Sequence, residues 1–251
     1  MHSATRLLSS FIPTTMSSAS NLQLTSEANS SNKMALHQDQ AQDADAAAAA
    51  QIAYFRAIPW CATLLSQPGL VIDQSVSRRP RRMPSEHNTL FSHTLNTPGS
   101  IPAYVAFYLP PSPSRTTEAL ESGDAAAAGS EMIREVGALL ALGPMINGHA
   151  GVCHGGLVVA LLDEIMGQVL DANRTEGLFS PLPIMTGYLN TRFEKPVLTG
   201  SVERPNVVLA TGRLVKMEGR KFFMEGEIRG EEGEVVCTRA DALFIMLKEK
   251  L

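Results

Sequence analysis

The sequence predicts an α+β domain in which an antiparallel sheet of five or six strands packs one face against a long central helix. Two observations carry that prediction. Residues Gly155–Leu170 place Leu157, Val158, Leu161, Leu162, Ile165, Met166 and Val169 around much of a helical circumference, so this helix is expected to be buried on several sides. Four extended segments follow it, Ile184–Phe193, Val207–Lys216, Phe222–Ile228 and Val235–Met246, separated by proline, glycine or charged turns such as Lys216–Arg220 and Arg229–Gly233. The last three read as an antiparallel meander, and a helix without a wide polar side needs such a sheet to cover it.

The elements can be justified in chain order. Residues 1–50 are rich in Ser, Asn, Gln and Ala and supply no core face, so roughly the first forty are expected to be disordered, with a helix able to start in the run Ala46–Ala50. Residues 51–95 read as a partly helical extension and linker. In Gln51–Ser66 the residues Ile52, Phe55, Ile58, Leu64 and Leu65 recur mostly at helical spacing, and Pro59 calls for a kinked helix or two short ones. The cluster Arg78, Arg79, Arg81 and Arg82 is broken by Pro80 and lacks interleaved aromatic residues, so it is expected to be a solvated linker rather than an RNA or phosphate contact. The main domain then occupies residues 96–251. Ala103–Leu109 reads as a strand before the turn Pro110–Pro113, and a loop with the run Ala125–Ala128 leads to Met132–Leu142, expected to be helical at its opening and extended at its end. Beyond the central helix, Asn173 and Gly177 are expected to terminate it and turn the chain.

Composition removes several function classes. With 21 basic and 25 acidic residues the formal charge is -4, which gives no general attraction to a phosphate backbone, so no nucleic-acid partner is expected. No run of about eighteen apolar residues occurs, so no membrane span is expected. Cys61, Cys153 and Cys237 stand far apart, without the close pairing of a zinc site or a redox CxxC; reduced thiols and a cytoplasmic location are the default, and neither a metal nor a cofactor is expected. Met1–Ser26 carries Arg6, many hydroxyl residues and no acid, and so weakly resembles a mitochondrial transit peptide.

Chemistry concentrates in the stretch Asn147 to Gly156, which packs four glycines directly before the buried helix. Such a stretch lets a ligand approach the backbone and exposes N–H groups at a helix start, where a carbonyl oxygen gaining negative charge is stabilised. Asp163 sits between Leu162 and Ile165, where burying a carboxylate is costly unless partners or a ligand compensate. Seven residues beyond Gly156 it stands about 10 Å further along the helix, too far to serve a reaction at that helix's own start. Two copies about a two-fold axis would solve this, with Asp163 of one facing the His154–Gly156 turn of the other. Glu164 is the alternative acid, about 100° around the helix. His149 and Cys153, near His154, complete neither a metal set nor a nucleophile turn, and Cys153 reads as a packing residue.

His154-Gly155-Gly156, followed after six residues by Asp163, together with Thr186 ten residues before Pro196, resembles the active-site turn, central helix and following strand of hotdog-fold acyl thioesterases, in the PaaI and thioesterase-superfamily-member branch. The resemblance covers roughly the last 150 residues. It implies a hotdog fold, a sheet wrapped around the helix, a homodimer or tetramer, and hydrolysis of an acyl-coenzyme A or acyl-carrier phosphopantetheine thioester. By the same resemblance Asp163 is the general base or nucleophile, the Gly155 N–H polarises the carbonyl, His154 shapes the turn, and Thr186 helps to position water. Many family members carry Asn six residues before the His; here that position is Gly148, and Asn147 lies one residue further away. Leu157, Leu161, Leu162 and Met166 could line an acyl channel as well as a core, and Arg192 and Lys195 could anchor a coenzyme A phosphate. Two other readings stay open: a noncatalytic acyl-binding or interaction module, and a hydroxyacyl-thioester dehydratase.

Overall fold

The computed structural model describes residues 45–73, 78, 88–111, 132–180 and 182–248. The segment Met1–Ser26, the run Ala125–Ala128 and residues Arg79, Arg81 and Arg82 therefore lie outside the described residues. The described residues from 46 onward belong to one compact unit.

Helix α1 spans 45–56 and α2 spans Pro59–Leu65. The proline occupies the first turn of the second helix, where its missing N–H costs nothing, so the chain breaks into two helices at Pro59. Strand β1 (Val71–Asp73) follows, and then, after a single turn at Leu90–Thr94, β2 (Tyr104–Tyr108). Strand β3 (Glu135–Leu142) is extended from its first residue, so the opening of the Met132–Leu142 segment is not helical. A small hairpin, β4 (Asn147–His149) and β5 (Val152–Cys153), leads into the 21-residue helix α3 (Gly155–Thr175). The remaining strands are β6 (Ile184–Phe193), β7 (Asn206–Glu218), β8 (Lys221–Gly230) and β9 (Val235–Met246).

Seven of these strands form one antiparallel sheet in the order β1-β2-β3-β7-β8-β9-β6. The class is the expected α+β; the count exceeds five or six because the three-residue β1, contributed by the N-terminal extension, is too short to show a period. Helix α3 lies on the inner face. Its Leu161, Leu162, Ile165, Met166 and Val169 are buried against Val208, Ala210, Leu214, Met224 and Ile228. Close approach is permitted by Gly212, where an added Cβ would stand only 2.6 Å from the Ile165 carbonyl oxygen.

The outer face is handled in two ways. Over β2, β3 and part of β7 it is covered by α1 and α2, whose Phe55, Cys61 and Leu65 pack on Val105, Phe107, Leu139 and Ala141. Over β7, β8, β9 and β6 it is polar, with Arg229 and Arg239 both paired to Glu227, and Arg239 also to Glu194. Cover and polar coat thus both come from within one chain.

Two expectations are corrected. Asn173 does not terminate the helix: it is fully buried inside it, accepting the Ile133 N–H at 2.9 Å and donating to the Ile133 carbonyl at 2.8 Å and the Val169 carbonyl at 2.7 Å. The side chain takes over two backbone groups of the segment entering β3, which water cannot reach. Gly177 does supply the stop, at φ +73°, a left-handed conformation that favours glycine. Arg78 is also not a solvated linker residue. It is fully buried and donates to the carbonyls of Ile101 at 2.7 Å and Phe91 at 3.2 Å, tying the extension to the chain entering β2.

Candidate functional site

The start of α3 is built by the turn before it. His154 is the N-cap, in extended backbone conformation, and its Nδ1 accepts the Gly156 N–H at 3.0 Å. With Nδ1 engaged as an acceptor, a neutral ring carries its proton on Nε2, so its free nitrogen is a donor. The N–H groups of Leu157 and Val158 donate to the His154 carbonyl. No described group accepts the Gly155 N–H, and Gly155 is exposed. One unspent donor at the positive end of a 21-residue helix therefore faces outward beside a histidine.

Asp163 lies eight residues along α3, about 12 Å from Gly155 by helical rise. It is half-buried, and its Oδ1 accepts a 2.7 Å hydrogen bond from the Thr186 hydroxyl on β6. The structure therefore brings Asp163 and Thr186 together within one chain, and His154 and Gly155 together at the other end of the helix. Glu164 points elsewhere: it accepts from the buried Gln168 at 2.6 Å, and its charge favours the cationic form of Arg78. Burial pulls the Arg78 guanidinium down to about 10, an effect that Tyr104 and Glu164 oppose. Glu164 is thereby tied to the packing of the extension, and Asp163 is the acid that reaches β6.

Strand β6 connects the two ends. A bulge between Thr186 and Tyr188 shifts its alternation by one residue, so Leu189, Thr191 and Phe193 share the inner face with Thr186. Their partners on β9 are the buried Phe244, Ala242, Ala240 and Thr238. The Phe193 ring comes within 3.7 Å of where a Gly155 Cβ would stand, and thus walls the exposed donor. Sequence reasoning missed Phe193 and Thr191 because the bulge decides which side chains turn inward.

The remaining candidates fall outside this groove. Asn147 is held by Thr199 at 2.5 Å, while Gly148 lies against His154, where an added Cβ would meet the His154 Cα at 3.0 Å. The glycine therefore occupies the place beside the histidine. Cys153 is buried, which pushes its thiol up to about 11 and leaves it protonated near neutral pH, as a packing residue requires. Arg192 and Lys195 are exposed, and Arg192 lines a cleft of about 560 Å³ on the outer face with Asn190, Arg213, Glu227, Arg239 and Asp241. That cleft is across the sheet from Asp163. Among the described residues no cluster of His, Cys, Asp and Glu could hold a metal, and no helix is long and apolar enough to cross a membrane.

Residues 150–237 match the model of the thioesterase superfamily. Among curated proteins, the acyl-coenzyme A thioesterase THEM4 of Bos taurus is 32% identical over 105 residues, which make up 42% of this chain and 38% of that protein. The protein of the same name from Xenopus laevis is 30% identical over 105 residues, 42% of each chain. The chain thus spans about two fifths of the length of the curated relatives it matches. Among solved structures, a hypothetical thioesterase of Streptococcus pneumoniae with coenzyme A is 18% identical across 47% of this chain and 82% of its own, at a TM-score of 0.39. A Bacillus halodurans protein with CoA is 26% identical across 44% of this chain and 70% of its own, at a TM-score of 0.37.

Proposed function

We propose, from the match of residues 150–237 to the model of the thioesterase superfamily, that the chain hydrolyses an acyl thioester of coenzyme A or of acyl-carrier phosphopantetheine to free acid and thiol. The observation that carries this reading is the pair of half-sites on α3: an oriented carboxylate, Asp163 bonded to Thr186, and an unspent N–H at Gly155. A thioester carbonyl accepting the Gly155 N–H gains charge on its oxygen as the tetrahedral intermediate forms, and the helix dipole favours that charge. Asp163 takes a proton from the attacking water, the carbon–sulfur bond then breaks, and the thiolate leaves with the electron pair. Thr186 fixes the carboxylate by bonding Oδ1, which leaves Oδ2 for the water. Direct attack by the carboxylate to form an anhydride is the second route on the same geometry.

The separation of about 12 Å along one helix makes a homodimer part of the proposal. Strand β6 ends the sheet, and its ten residues have a strand on one side only among the described residues. Two-fold pairing along such an edge would set Asp163 of one copy near Gly155 of the other, so that a dimer holds two complete sites.

The test is thiol release from a panel of acyl-coenzyme A and acyl-carrier substrates by the wild type and Asp163→Asn. A loss of about 10²- to 10⁴-fold in kcat, with fold and oligomeric state unchanged, is expected for removal of a general base. Equal turnover by Asp163→Asn rejects this acid, and an unsaturated product formed without thiol release replaces hydrolysis with dehydration.

A further inference from the structure

We propose that the cleft on the outer face of the sheet binds a small zwitterion, with its oxyanion and its primary ammonium about 8 Å apart, independently of the acyl thioester.

The strand register shapes this cleft of about 560 Å³ into a trough running across the strands. One wall is the row Asp241, Glu225 and Arg213, paired in that order across β9, β8 and β7. The other is the row Arg192, Arg239 and Glu227 across β6, β9 and β8. Between them the floor is the row Thr191, Ala240 and Gly226, which alternates to the inner face and so presents its backbone to the cleft.

Each wall carries a pair of like charges. Arg192 stands directly opposite Arg239, and Asp241 directly opposite Glu225. Like charges in that relation destabilise a strand pair. Most charged groups around the cleft are engaged within the chain: Arg213 with Glu135, Arg229 and Arg239 with Glu227, and Asp241 with the Asn190 amide. Arg192 and Glu225 are not. Neither has a hydrogen bond or an ion pair among the described residues, and Glu225 adds only a minor share to the field that Glu135 chiefly exerts on Arg213. One unengaged cation and one unengaged anion thus stand on opposite walls of a single cleft, each facing a group of its own sign.

An oxyanion between Arg192 and Arg239 meets two guanidinium forks, and an ammonium between Asp241 and Glu225 meets two carboxylates. The midpoints of the two pairs are offset by one strand spacing and two residues, about 8 Å on a regular sheet. A zwitterion of that span neutralises both pairs at once, whereas a simple anion leaves the acids facing each other. Two concave clefts cannot fill one another about a two-fold axis, so a second copy of the chain does not supply the counter-charges. The charged lining disfavours an acyl chain, and the cleft lies across the sheet from Asp163.

The experiment titrates the full chain, isotope-labelled for amide resonances, with ω-aminohexanoate and ω-aminobutyl phosphate; hexanoate, hexylamine and β-alanine are the controls. Saturable shifts are expected at the amides of residues 190–192, 225–227 and 239–241. At least one of the two long zwitterions is expected to bind tenfold or more tightly than every control, and the tighter of the two identifies carboxylate or phosphate as the oxyanion. Arg192→Gln and Glu225→Gln are each expected to weaken that binding tenfold or more. Arg192→Gln, which removes one member of a like-charge pair, is expected to unfold at or above the wild-type temperature. Absence of saturable binding, equal affinity for a control, shifts centred on α3 instead, or unchanged affinity in both variants overturns the site. So does a loss of stability in Arg192→Gln, which would mean that its charge is satisfied within the chain. Thiol release is read separately: binding at the cleft without hydrolysis keeps this site and removes the thioesterase reading, and hydrolysis without binding does the reverse.

Discussion

Substituting Gly212 by alanine tests whether the spacing between helix and sheet sets the geometry of Asp163. A Cβ at this position would sit 2.6 Å from the Ile165 carbonyl oxygen, 2.9 Å from its carbon and 3.0 Å from the Met166 Cα. All three are backbone atoms of α3, so no rotamer change relieves the contact. Comfortable separation begins near ~3.5 Å, and the helix must retreat from β7 by roughly 0.5–1 Å. Overpacking of this kind costs about 1–3 kcal/mol, partly offset by the ~0.5–1 kcal/mol gained when glycine leaves a strand. The functional consequence is larger, because Asp163 lies two residues from Ile165 on the same helix and is set by a 2.7 Å bond to β6. A displacement near 1 Å lowers turnover by about 10²-fold in a positioned site. Gly226 is the internal comparison: its Cβ would meet only side-chain atoms of Leu162 and Met166, at 3.2–3.3 Å, which can yield. Urea titration reads the stability of Gly212→Ala and Gly226→Ala, and thiol release reads kcat. A Gly212→Ala protein within 0.5 kcal/mol of wild type and with unchanged kcat would refute the claim that this contact fixes the helix; so would an equal effect at Gly226.

Two further outcomes are expected. Replacing Asn173 by leucine leaves the N–H and carbonyl of the buried Ile133 without partners, a loss of about 2–5 kcal/mol, and thermal unfolding should fall by ~5–15 °C for a domain of this size; a loss under 1 kcal/mol would mean that the clamp is dispensable. Burial raises the Cys61 thiol from an ordinary 9.0 to about 12 and Cys153 to about 11. Their contribution to stability is therefore complete below pH 9 and lost as pH rises through 9 toward the folded values, since only the unfolded chain ionises there. The double variant Cys61→Ala, Cys153→Ala should flatten the decline in unfolding free energy measured between pH 9 and 11.

Legibility in the sequence followed the range of the signal. The central helix and the β7–β8–β9 meander are periodic over ten residues or more, and burial on a regular element reproduces that period in the side chains. Short or composite features carry no such record. Strand β1 is three residues long and is defined by its pairing with β2, a contact made across more than thirty residues. Arg78 looks like a member of a basic linker, because the carbonyls that bury it come from residues 91 and 101 and leave no trace in the local composition. Asn173 resembles a helix stop for a similar reason: its side chain can satisfy backbone groups at a terminus or across a core, and only the position of Ile133 decides which.

The candidate site shows the same limit at the scale of one residue. Thr186 and Asp163 are twenty-three positions apart in the chain, and the hydrogen bond between them leaves no mark in the local sequence. Strict alternation from Thr186 would turn residues 188, 190 and 192 inward and give the groove a tyrosine, an asparagine and an arginine. The bulge after Thr186 reverses this, setting Leu189, Thr191 and Phe193 opposite the buried Ala242, Ala240 and Thr238, while Asn190, Thr191 and Arg192 all border the outer cleft. One inserted residue thus replaces Tyr188, Asn190 and Arg192 on the inner face with Leu189, Thr191 and Phe193. Arg192 borders the outer cleft, and the bulge, which leaves no mark in the composition of the strand, decides which residues of β6 face α3.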